Sequence, residues 1–285
     1  KICKILLVIL AIFLCVAFYE LLGICVAYKK QPEVSNTTKK ETKNGSWNEC
    51  SENTERAVII EKNPEALLQR VRLIKNAKKE IILSTFAFQS DESGKLILGA
   101  LHDAADRGVH IRLLVDGMES WIDMEGNPYF YGLSSHENVE IKLYNKANPL
   151  KPWKMMGRMH DKYLIADGKR YILGGRNTYN YFLGDFPGHK NYDRDVLVVC
   201  DEPEKENSVN QLLEYFETIW EQEDSGYFHD NKKLANRKSV KNAVLELQNG
   251  YQKYFEENKE RICDTDYTDE TFETEKIALV SNPIH

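Results

Sequence analysis

The chain has 285 residues, of which 42% are hydrophobic, and a formal net charge of −6 at pH 7. This length and apolar content are enough for one large domain or two small ones with a sizeable core. The negative charge argues weakly against a nucleic-acid partner, because such proteins usually need a basic surface, although a local patch would suffice. No nucleic-acid partner is therefore expected. The first residue is Lys rather than Met, so we interpret the chain as a segment of a longer protein.

An apolar segment, residues 5–28, opens the chain, and Glu20 is its only charged residue. As a helix it would be about 36 Å long and could cross a bilayer. A cleaved signal peptide is the competing interpretation, with Cys25 and Ala27 as the small residues before the cut. Because the apolar run is longer than a typical signal core, residues 1–28 are predicted to be a single-pass membrane anchor. Two lysines precede the helix and five follow it closely, a bias that would keep the next domain cytoplasmic.

Residues 29–56 are rich in Lys, Glu, Asn, Thr and Ser and poor in apolar residues, which predicts a flexible tether. The folded domain is expected to start near Val58. The tripeptide Asn63-Pro64-Glu65 indicates the start of a helix, with Asn63 as the capping side chain and Pro64 at the first helical position.

A strand, a helix and a second strand are predicted next, at residues 81–88, 94–107 and 109–115. Such a unit implies parallel pairing of the two strands through a right-handed crossover. Another strand is predicted at Val139–Tyr144. The long connection at residues 116–138 is rich in Gly and aromatic residues.

Large apolar side chains are concentrated in this connection and in a second loop at residues 150–156. Ordinary packing against the domain would explain them. So would a rim that contacts acyl chains or a membrane surface, since Trp and Tyr favour the membrane interface. The sequence leaves both interpretations open.

The stretch at residues 158–177, RMHDKYLIADGKRYILGGRN, is predicted to form a hairpin. Its halves KYLIAD and RYILGG are short, apolar and β-rich, and Gly168-Lys169 lies between them as a turn. Side-chain alternation in the first half puts Lys162, Leu164 and Ala166 on one face of the strand. His160 then points the same way as Lys162.

His160, Lys162 and Asp167 have the spacing H-x-K-x4-D, and the pair Gly174-Gly175 and then Asn177 follow. A neutral imidazole can attack phosphorus, and a neighbouring ammonium can neutralise charge that grows on the phosphoryl oxygens. The glycines would let the backbone approach a phosphate, and Asn177 could donate an amide hydrogen bond to it. A surface hairpin with a stray histidine is the alternative, but chance rarely places so many residue types at fixed offsets.

Downstream of the hairpin the sequence predicts packing elements. Asp195 opens a strand at residues 196–199, and residues 209–220 and 240–254 each present one apolar helical face. An apolar, β-like run, IALVSNP, follows within residues 276–285. The six cysteines have neither metal-site nor disulfide spacing, and no Gly-rich nucleotide loop or acidic metal cluster occurs. No metal or other cofactor is predicted.

The stretch at residues 158–182, RMHDKYLIADGKRYILGGRNTYNYF, resembles the first HKD motif of the phospholipase D superfamily, in its bacterial cardiolipin synthase-related branch. The resemblance covers about residues 57–200 and includes the segments STFAF, DESG, AADRGVHIRLLVD and YDRD. It implies an α/β fold with a mixed sheet flanked by helices, here preceded by the transmembrane helix. A first phospholipase D-like domain is expected at residues 57–230, a helical connection at 231–275, and the start of a second HKD half at 276–285.

The resemblance also implies a role for each site residue. His160 would attack a phospholipid phosphorus, giving a phosphatidyl-histidine, while Lys162 and Asn177 hold the phosphoryl oxygens beside the backbone of Gly175. Asp195, rather than Asp193, would hydrogen-bond the ring of His160 and orient it, although a mere surface charge is the alternative. Asp167 would stabilise the local structure rather than react.

The expected activity is that of a cardiolipin synthase-like phosphatidyltransferase in a bacterial cell membrane, with a lipid alcohol or water as acceptor. A phosphodiesterase or nuclease of the same superfamily shares the motif, and the membrane anchor is the feature against it. A non-catalytic membrane scaffold is disfavoured by the intact motif. None of the other histidines repeats the motif spacing, so the group that protonates the leaving alcohol is expected from a second motif, in the rest of the chain or in a second copy.

Overall fold

The computed structural model describes residues 2–29, 36, 39–40, 55–154, 157–200, 207–229, 231–274 and 277–281. Within these residues, nine strands form one mixed sheet and eight helices accompany it. The strands are β1 (Glu55–Ile60), β2 (Glu80–Thr85), β3 (His110–Asp116), β4 (Val139–Tyr144), β5 (Lys162–Ala166), β6 (Arg170–Gly174), β7 (Asp195–Val199), β8 (Ser225–Tyr227) and β9 (Phe272–Thr274). The helices are α1 (Ile2–Lys29), α2 (Asn63–Asn76), α3 (Glu92–Asp106), α4 (Gly117–Asp123), α5 (Pro128–Ser134), α6 (Ser208–Trp220), α7 (Lys238–Glu257) and α8 (Lys259–Cys263).

The strand order is β8-β4-β3-β2-β5-β6-β7-β1-β9. β2, β3 and β4 run parallel to one another, as the predicted strand–helix–strand unit requires. Every other neighbouring pair is antiparallel. The predicted hairpin is confirmed: β5 pairs with β6, and Ala166 lies opposite Arg170. Its turn contains two left-handed residues, Asp167 with φ 54° and Gly168 with φ 63°, a conformation that Gly and Asp tolerate better than most residues.

Side chains alternate between the two faces of the sheet along the central strands, as predicted for the hairpin. One hydrophobic core therefore lies on each face. On one face Leu83, Leu164 and Leu197 pack under α2 and α3. On the other face Ile165 and Val198 pack under α6. Burying each aliphatic side chain contributes roughly 1.5–3 kcal/mol, so a slip of one residue in strand register would expose both sets and is strongly disfavoured.

Residues 231–274, predicted as a helical connection, pack onto the same body. Gly99 of α3 touches α7 so closely that a Cβ there would lie 2.7 Å from the Leu247 carbonyl oxygen. Beyond α8, the carbonyl oxygens of Asp264 and Asp266 accept hydrogen bonds from the buried Arg72 guanidinium at 2.8 and 2.7 Å. β9 then adds a strand beside β1, which the sequence analysis did not predict.

The start of the domain differs from the prediction in two details. β1 begins at Glu55 rather than near Val58 because the Glu55 carboxylate is fully buried, where it accepts a hydrogen bond from Ser208 Oγ at 2.7 Å. Asn63 does not cap α2. Its side chain instead donates to the Asn191 carbonyl at 2.9 Å and accepts from Arg176 Nε at 3.2 Å. Most of the predicted tether lies outside the described residues.

The connection 116–138, predicted as a loop, contains α4 and α5. Each begins at a side-chain cap: Asp116 accepts from the Met118 amide, and Asn127 accepts from the Tyr129 amide. These Asx caps satisfy helix-end N–H groups and make such short helices possible. Residues 277–281 run beside α6, where the Leu279 amide donates to Gln211 Oε1 at 2.8 Å. That they open a second half stays a prediction, and residues 282–285 lie outside the described part.

The N-terminal helix α1 is long and apolar enough to cross a membrane by length and composition. Its 28 residues span about 42 Å. α1 contacts the loop that precedes residues 158–177. Tyr19 donates a hydrogen bond to the Leu150 carbonyl oxygen at 2.9 Å. A Cβ on Gly23 would lie 2.4 Å from Pro152 Cγ, so the absence of a side chain there allows the loop to approach the helix.

Candidate active site

His160 lies just before β5, at the end of the sheet where the parallel strands β2 and β3 finish. Its side chain is exposed to solvent on one side. On the other side the ring packs against Phe86, with centroids 4.6 Å apart and planes at 61°. Phe86 follows directly after β2. The aromatic contact thus supports the imidazole without covering it.

The chain in front of His160 is held by Asp116, the last residue of β3. This carboxylate is 1% exposed and accepts a hydrogen bond from the Met159 amide at 3.0 Å and from Arg158 Nε at 2.9 Å. Arg158 also binds Glu119 of α4 at 2.8 Å. These three contacts to Arg158 and Met159 fix the direction of the backbone just before His160.

Lys162, on β5, is 6% exposed. Its Nζ donates to the His160 carbonyl oxygen at 2.6 Å and lies 5.3 Å from the centroid of the Phe86 ring. His160 and Lys162 therefore meet around Phe86. Asp161, between them, turns to the opposite face, where Tyr215 donates to its carboxylate at 2.8 Å.

The electrostatics of the pair favour a neutral histidine beside a lysine cation. Partial burial lowers the pKa of His160, and the neighbouring charge of Lys162 lowers it further. Burial also lowers the pKa of Lys162, while the carboxylates of Asp161 and Asp193 oppose that shift. At neutral pH the imidazole is therefore unprotonated and able to act as a nucleophile, and the ammonium acts from a partly desolvated position, where its field is stronger.

Other protein groups lie very close to the two glycines of the motif. A Cβ on Gly174 would lie 2.2 Å from Asp195 Oδ1, and one on Gly175 would lie 2.1 Å from Asp193 Oδ2. The Gly175 amide is also engaged, since it donates to the Arg194 carbonyl oxygen at 3.2 Å. The groups that lie against Gly175 are those of Asp193 and Arg194, just before β7, and the approach of a phosphate to Gly175 stays a prediction.

Asn177 and Asp167 both bind backbone groups. Asn177 is 7% exposed, and its Oδ1 accepts from the Ala87 amide at 3.3 Å, which keeps it beside the segment that carries Phe86. The Asp167 carboxylate accepts from the amides of residues 78–80 at 2.7–3.1 Å. It joins the hairpin turn to the connection between α2 and β2, a structural contact of the kind expected for this residue.

Asp195 does not lie where the sequence analysis placed it. Between the described side chains of Asp195 and His160 there is no hydrogen bond. Asp195 Oδ2 is bound instead by Arg70 at 2.9 Å and Arg176 at 3.2 Å, and its Oδ1 has no hydrogen-bond partner. The expectation that Asp195 orients the His160 ring is therefore wrong for this structure.

Sheet geometry explains the correction. Lys162 lies opposite Thr85 on one side of β5, whereas Asp195 lies opposite Gly174, with β6 between β5 and β7. Two strand spacings amount to about 10 Å, and the face between them is closed by Arg70 of α2. Asp193, two residues earlier, is exposed, and its charge, like the larger effect of Asp161, raises the pKa of Lys162.

Residues 70–220 match the family model described as cardiolipin synthase, phospholipase D-like domain. The match covers more than half of the chain. This protein belongs to the phospholipase D superfamily.

Relatives of this phospholipase D-like chain include proteins with and without a named activity. An uncharacterized protein of Helicobacter pylori J99 is 30% identical over 212 residues, covering 69% of this chain and 39% of that protein. Cardiolipin synthase C of Escherichia coli K12 is 29% identical over 171 residues, covering 55% of this chain and 34% of that enzyme. The chain thus spans about two fifths or less of the length of these relatives.

A phosphatidylserine synthase of Haemophilus influenzae Rd KW20 shares the fold. It superimposes with a TM-score of 0.50 and 17% identity, covering 78% of this chain and 48% of that enzyme. At this identity the comparison supports the fold alone.

Three residues of this phospholipase D-like site had no role in the sequence analysis: Phe86, Asp116 and Arg158. A signal for one of them was present. Asp116 ends a strand predicted to be parallel, and the carboxyl ends of parallel strands are where α/β folds gather functional side chains. Nothing in the sequence alone paired it with Arg158, 42 residues later.

We predict different outcomes for the two neighbouring aspartates. Asp195→Asn leaves Arg70 and Arg176 as buried cations without a counter-charge, so the free energy of unfolding should fall by about 3–5 kcal/mol. Asp193→Asn, at an exposed position, should change it by less than about 0.5 kcal/mol. Urea unfolding followed by circular dichroism would compare the two variants with the parent. Equal unfolding midpoints for both variants would show that the arginine pairing does not stabilise the fold.

Proposed function

We propose that this chain carries one histidine–lysine half-site of a phospholipase D-type phosphatidyltransferase that acts on phospholipid phosphodiesters. The observation that carries the proposal is the exposed imidazole of His160, whose pKa is lowered by partial burial and by Lys162, beside the buried ammonium of that lysine. A nucleophile needs access, an unprotonated nitrogen and stabilisation of the charge that it generates. This pair offers all three.

In the proposed reaction an imidazole nitrogen of His160 attacks phosphorus, and the bond from phosphorus to the leaving alcohol oxygen breaks. The leaving oxygen takes a proton from a general acid, and the phosphatidyl group stays on the histidine. An acceptor alcohol or water then attacks phosphorus, the P–N bond breaks, and the acceptor's proton returns to the acid–base group. A neutral imidazole returns at the end, so the cycle is closed.

Lys162 and Asn177 would stabilise the phosphoryl oxygens as negative charge grows on them. Removing one preorganised donor of this type costs about 100- to 1000-fold in rate in other enzymes. Asp193 takes the place that we first gave to Asp195 as the acidic group of the site. Its proposed role is to balance the charge of Lys162, because its field acts on that ammonium.

The choice of phospholipid over nucleic acid is supported by two observations. α1 is apolar enough to cross a bilayer, and a relative over 55% of the chain is named cardiolipin synthase C. We therefore propose a membrane location with α1 as the anchor rather than a cleaved signal sequence. A superfamily nuclease would instead cleave DNA or RNA, so single-stranded DNA serves as the comparison substrate in the assays below.

We predict that His160→Ala abolishes turnover and the trapping of radiolabelled phosphatidylglycerol on the protein, because the nucleophile is removed. His110→Ala is the matched control. It removes a partly exposed imidazole at the opposite end of β3, where His110 binds Glu140, and should leave turnover unchanged. Denaturing gel autoradiography after rapid acid quenching measures the covalent species. Full turnover of His160→Ala would refute the assignment, and turnover of DNA but not lipid would favour the nuclease.

We predict a bell-shaped pH profile for kcat/KM. The acid limb should lie below the ordinary His pKa of 6.5, since activity is lost when the imidazole becomes protonated. The alkaline limb should lie below the ordinary Lys pKa of 10.5, since activity is lost when Lys162 loses its proton. Lys162→Arg, whose guanidinium stays charged up to about pH 12, should lower the rate and remove the contribution of Lys162 to the alkaline limb, so that any limb that remains belongs to the general acid. An unchanged alkaline limb in that variant would show that another group titrates.

The general acid is proposed to come from a second HKD motif, supplied by a longer chain or by a second copy. A lipid alkoxide leaves poorly without a proton donor. We therefore predict that these 285 residues, purified in detergent, have no activity as monomers. Phosphatidylglycerol turnover measured across a protein dilution series, with mass from light scattering, tests this. Constant specific activity down to a monomeric mass would exclude the split site.

A further inference from the structure

The loop between β4 and the HKD motif has an unusual surface. Residues 145–154, NKANPLKPWK, contain three lysines and no acidic residue. We call this segment the basic–aromatic loop. Its two large apolar side chains, Leu150 and Trp153, are 78% and 45% exposed, although the domain has two well-formed cores in which they could be buried. An exposed Leu and Trp among lysines is the composition that favours a lipid headgroup layer.

α1 is seated on the same loop. Tyr19 binds the Leu150 carbonyl and Gly23 touches Pro152. Residues 2–18, ahead of these contacts, have a helical length of about 26 Å, close to the roughly 30 Å thickness of a bilayer's hydrocarbon core. If those residues fill the hydrocarbon, Tyr19 lies at its boundary and the loop lies in the headgroup layer.

We propose that the basic–aromatic loop is a membrane-contact surface of the catalytic domain. Leu150 and Trp153 enter the boundary of the bilayer that α1 crosses, and the exposed Lys151 faces the lipid phosphates. The occupant of this surface is thus a phospholipid bilayer, preferably an anionic one. This inference rests on the membrane location proposed above, and it specifies how the domain, rather than its anchor, meets the lipid.

Hydrogen bonds hold the base of the loop in place, so that a contact at its tip can affect the position of the site. Asn145, in the left-handed region with φ 52°, donates through Nδ2 to the carbonyl oxygens of Lys154 at 2.5 Å and Gly157 at 2.7 Å. Lys154 also pairs with Asp224 at 2.7 Å. These bonds close the loop at its base and fix it to the turn before β8.

The braced base is close to the nucleophile along the chain. Gly157 is three residues before His160, a separation of at most about 11 Å, and Asp116 fixes the intervening backbone. Gly117 of α4 packs against the other side of the base, where a Cβ would lie 2.6 Å from the Asn145 carbonyl oxygen. α4 carries two further exposed apolar side chains, Trp121 and Ile122. Both segments that meet at the base of the loop thus present exposed apolar side chains.

Tryptophan fluorescence in vesicles with brominated acyl chains tests the contact. The full chain would be reconstituted in phosphatidylcholine vesicles, with and without phosphatidylglycerol, whose lipids carry bromine near the glycerol end. One reporter keeps Trp153 as the sole tryptophan, with Trp47, Trp121 and Trp220 changed to Phe. The control reporter also carries Trp153→Phe and has Phe272→Trp, which replaces an exposed aromatic residue of β9. β9 lies seven strands from β4, about 34 Å across the sheet.

We expect the brominated lipids to lower the fluorescence of the Trp153 reporter at least twofold, and further when phosphatidylglycerol is present. The fluorescence of the reporter at position 272 should change little. Quenching at position 153 no stronger than at position 272 would overturn the proposal, and would mean that the loop faces water or a protein partner. The quenching measurement does not require enzymatic activity, so its result is independent of whether the proposed reaction occurs.

A second measurement uses activity. Leu150→Glu and Trp153→Glu should each lower turnover of vesicle lipid at least fivefold while leaving turnover of a monomeric short-chain phospholipid unchanged, because only the approach to the membrane is impaired. Lys233→Glu, a change on a 3₁₀ turn that follows β8, controls for added negative charge. Equal losses on both substrates would contradict a membrane role. Absence of lipid turnover in a parent protein that has its second HKD motif would fail the proposed function, and the quenching result would then decide the membrane contact by itself.

Discussion

One buried carboxylate organises the proposed active site. Asp116 ends β3, caps α4, and binds both Arg158 and the Met159 amide. An anion that is 1% exposed would be costly without partners, and here each partner also positions an element of the site. The cap sets the start of α4, and the contacts to residues 158–159 set the direction of the chain into His160. Loss of this carboxylate would therefore disturb α4 and the nucleophile together.

The other acidic residues have different partners, which depend on the strand and the face of the sheet where each residue lies. Asp161 turns to Tyr215 on the far face, and Asp195 is neutralised between Arg70 and Arg176. Asp193 is left as the exposed carboxylate whose charge acts on Lys162. The Gly174-Gly175 pair is part of the same arrangement. A side chain on Gly174 would collide with Asp195, and one on Gly175 would collide with Asp193. The motif glycines thus position the acidic groups of the site.

The proposed membrane contact and the proposed chemistry depend on each other through short covalent and hydrogen-bonded links. α1 touches the basic–aromatic loop, Asn145 closes that loop, and Gly157 leads into the residues that Asp116 holds. A phospholipid that reaches the surface beside Leu150 and Trp153 would have its phosphate near an imidazole that burial and Lys162 keep unprotonated. No large movement of the domain is required by this arrangement.

The sequence by itself determined the α/β class, the parallel unit around α3 and the β5–β6 hairpin, and it pointed to His160 and Lys162 as the pair on which the proposed chemistry depends. These features depend on the local periodicity of apolar residues and on a motif that lies within one hairpin. The sequence analysis also expected Asp167 to stabilise the structure, but its partners, the amides of residues 78–80, lie 87–89 positions away and were decided by packing. Tertiary structure alone decided which carboxylate meets which cation. The sequence favoured Asp195 over Asp193, two residues earlier, but strand register and the position of Arg70 bury Asp195 and leave Asp193 exposed. The contacts of Asp116 with Arg158 and of α1 with Pro152 likewise join residues 42 and 129 positions apart, and pairing at such distances follows from packing rather than from local pattern.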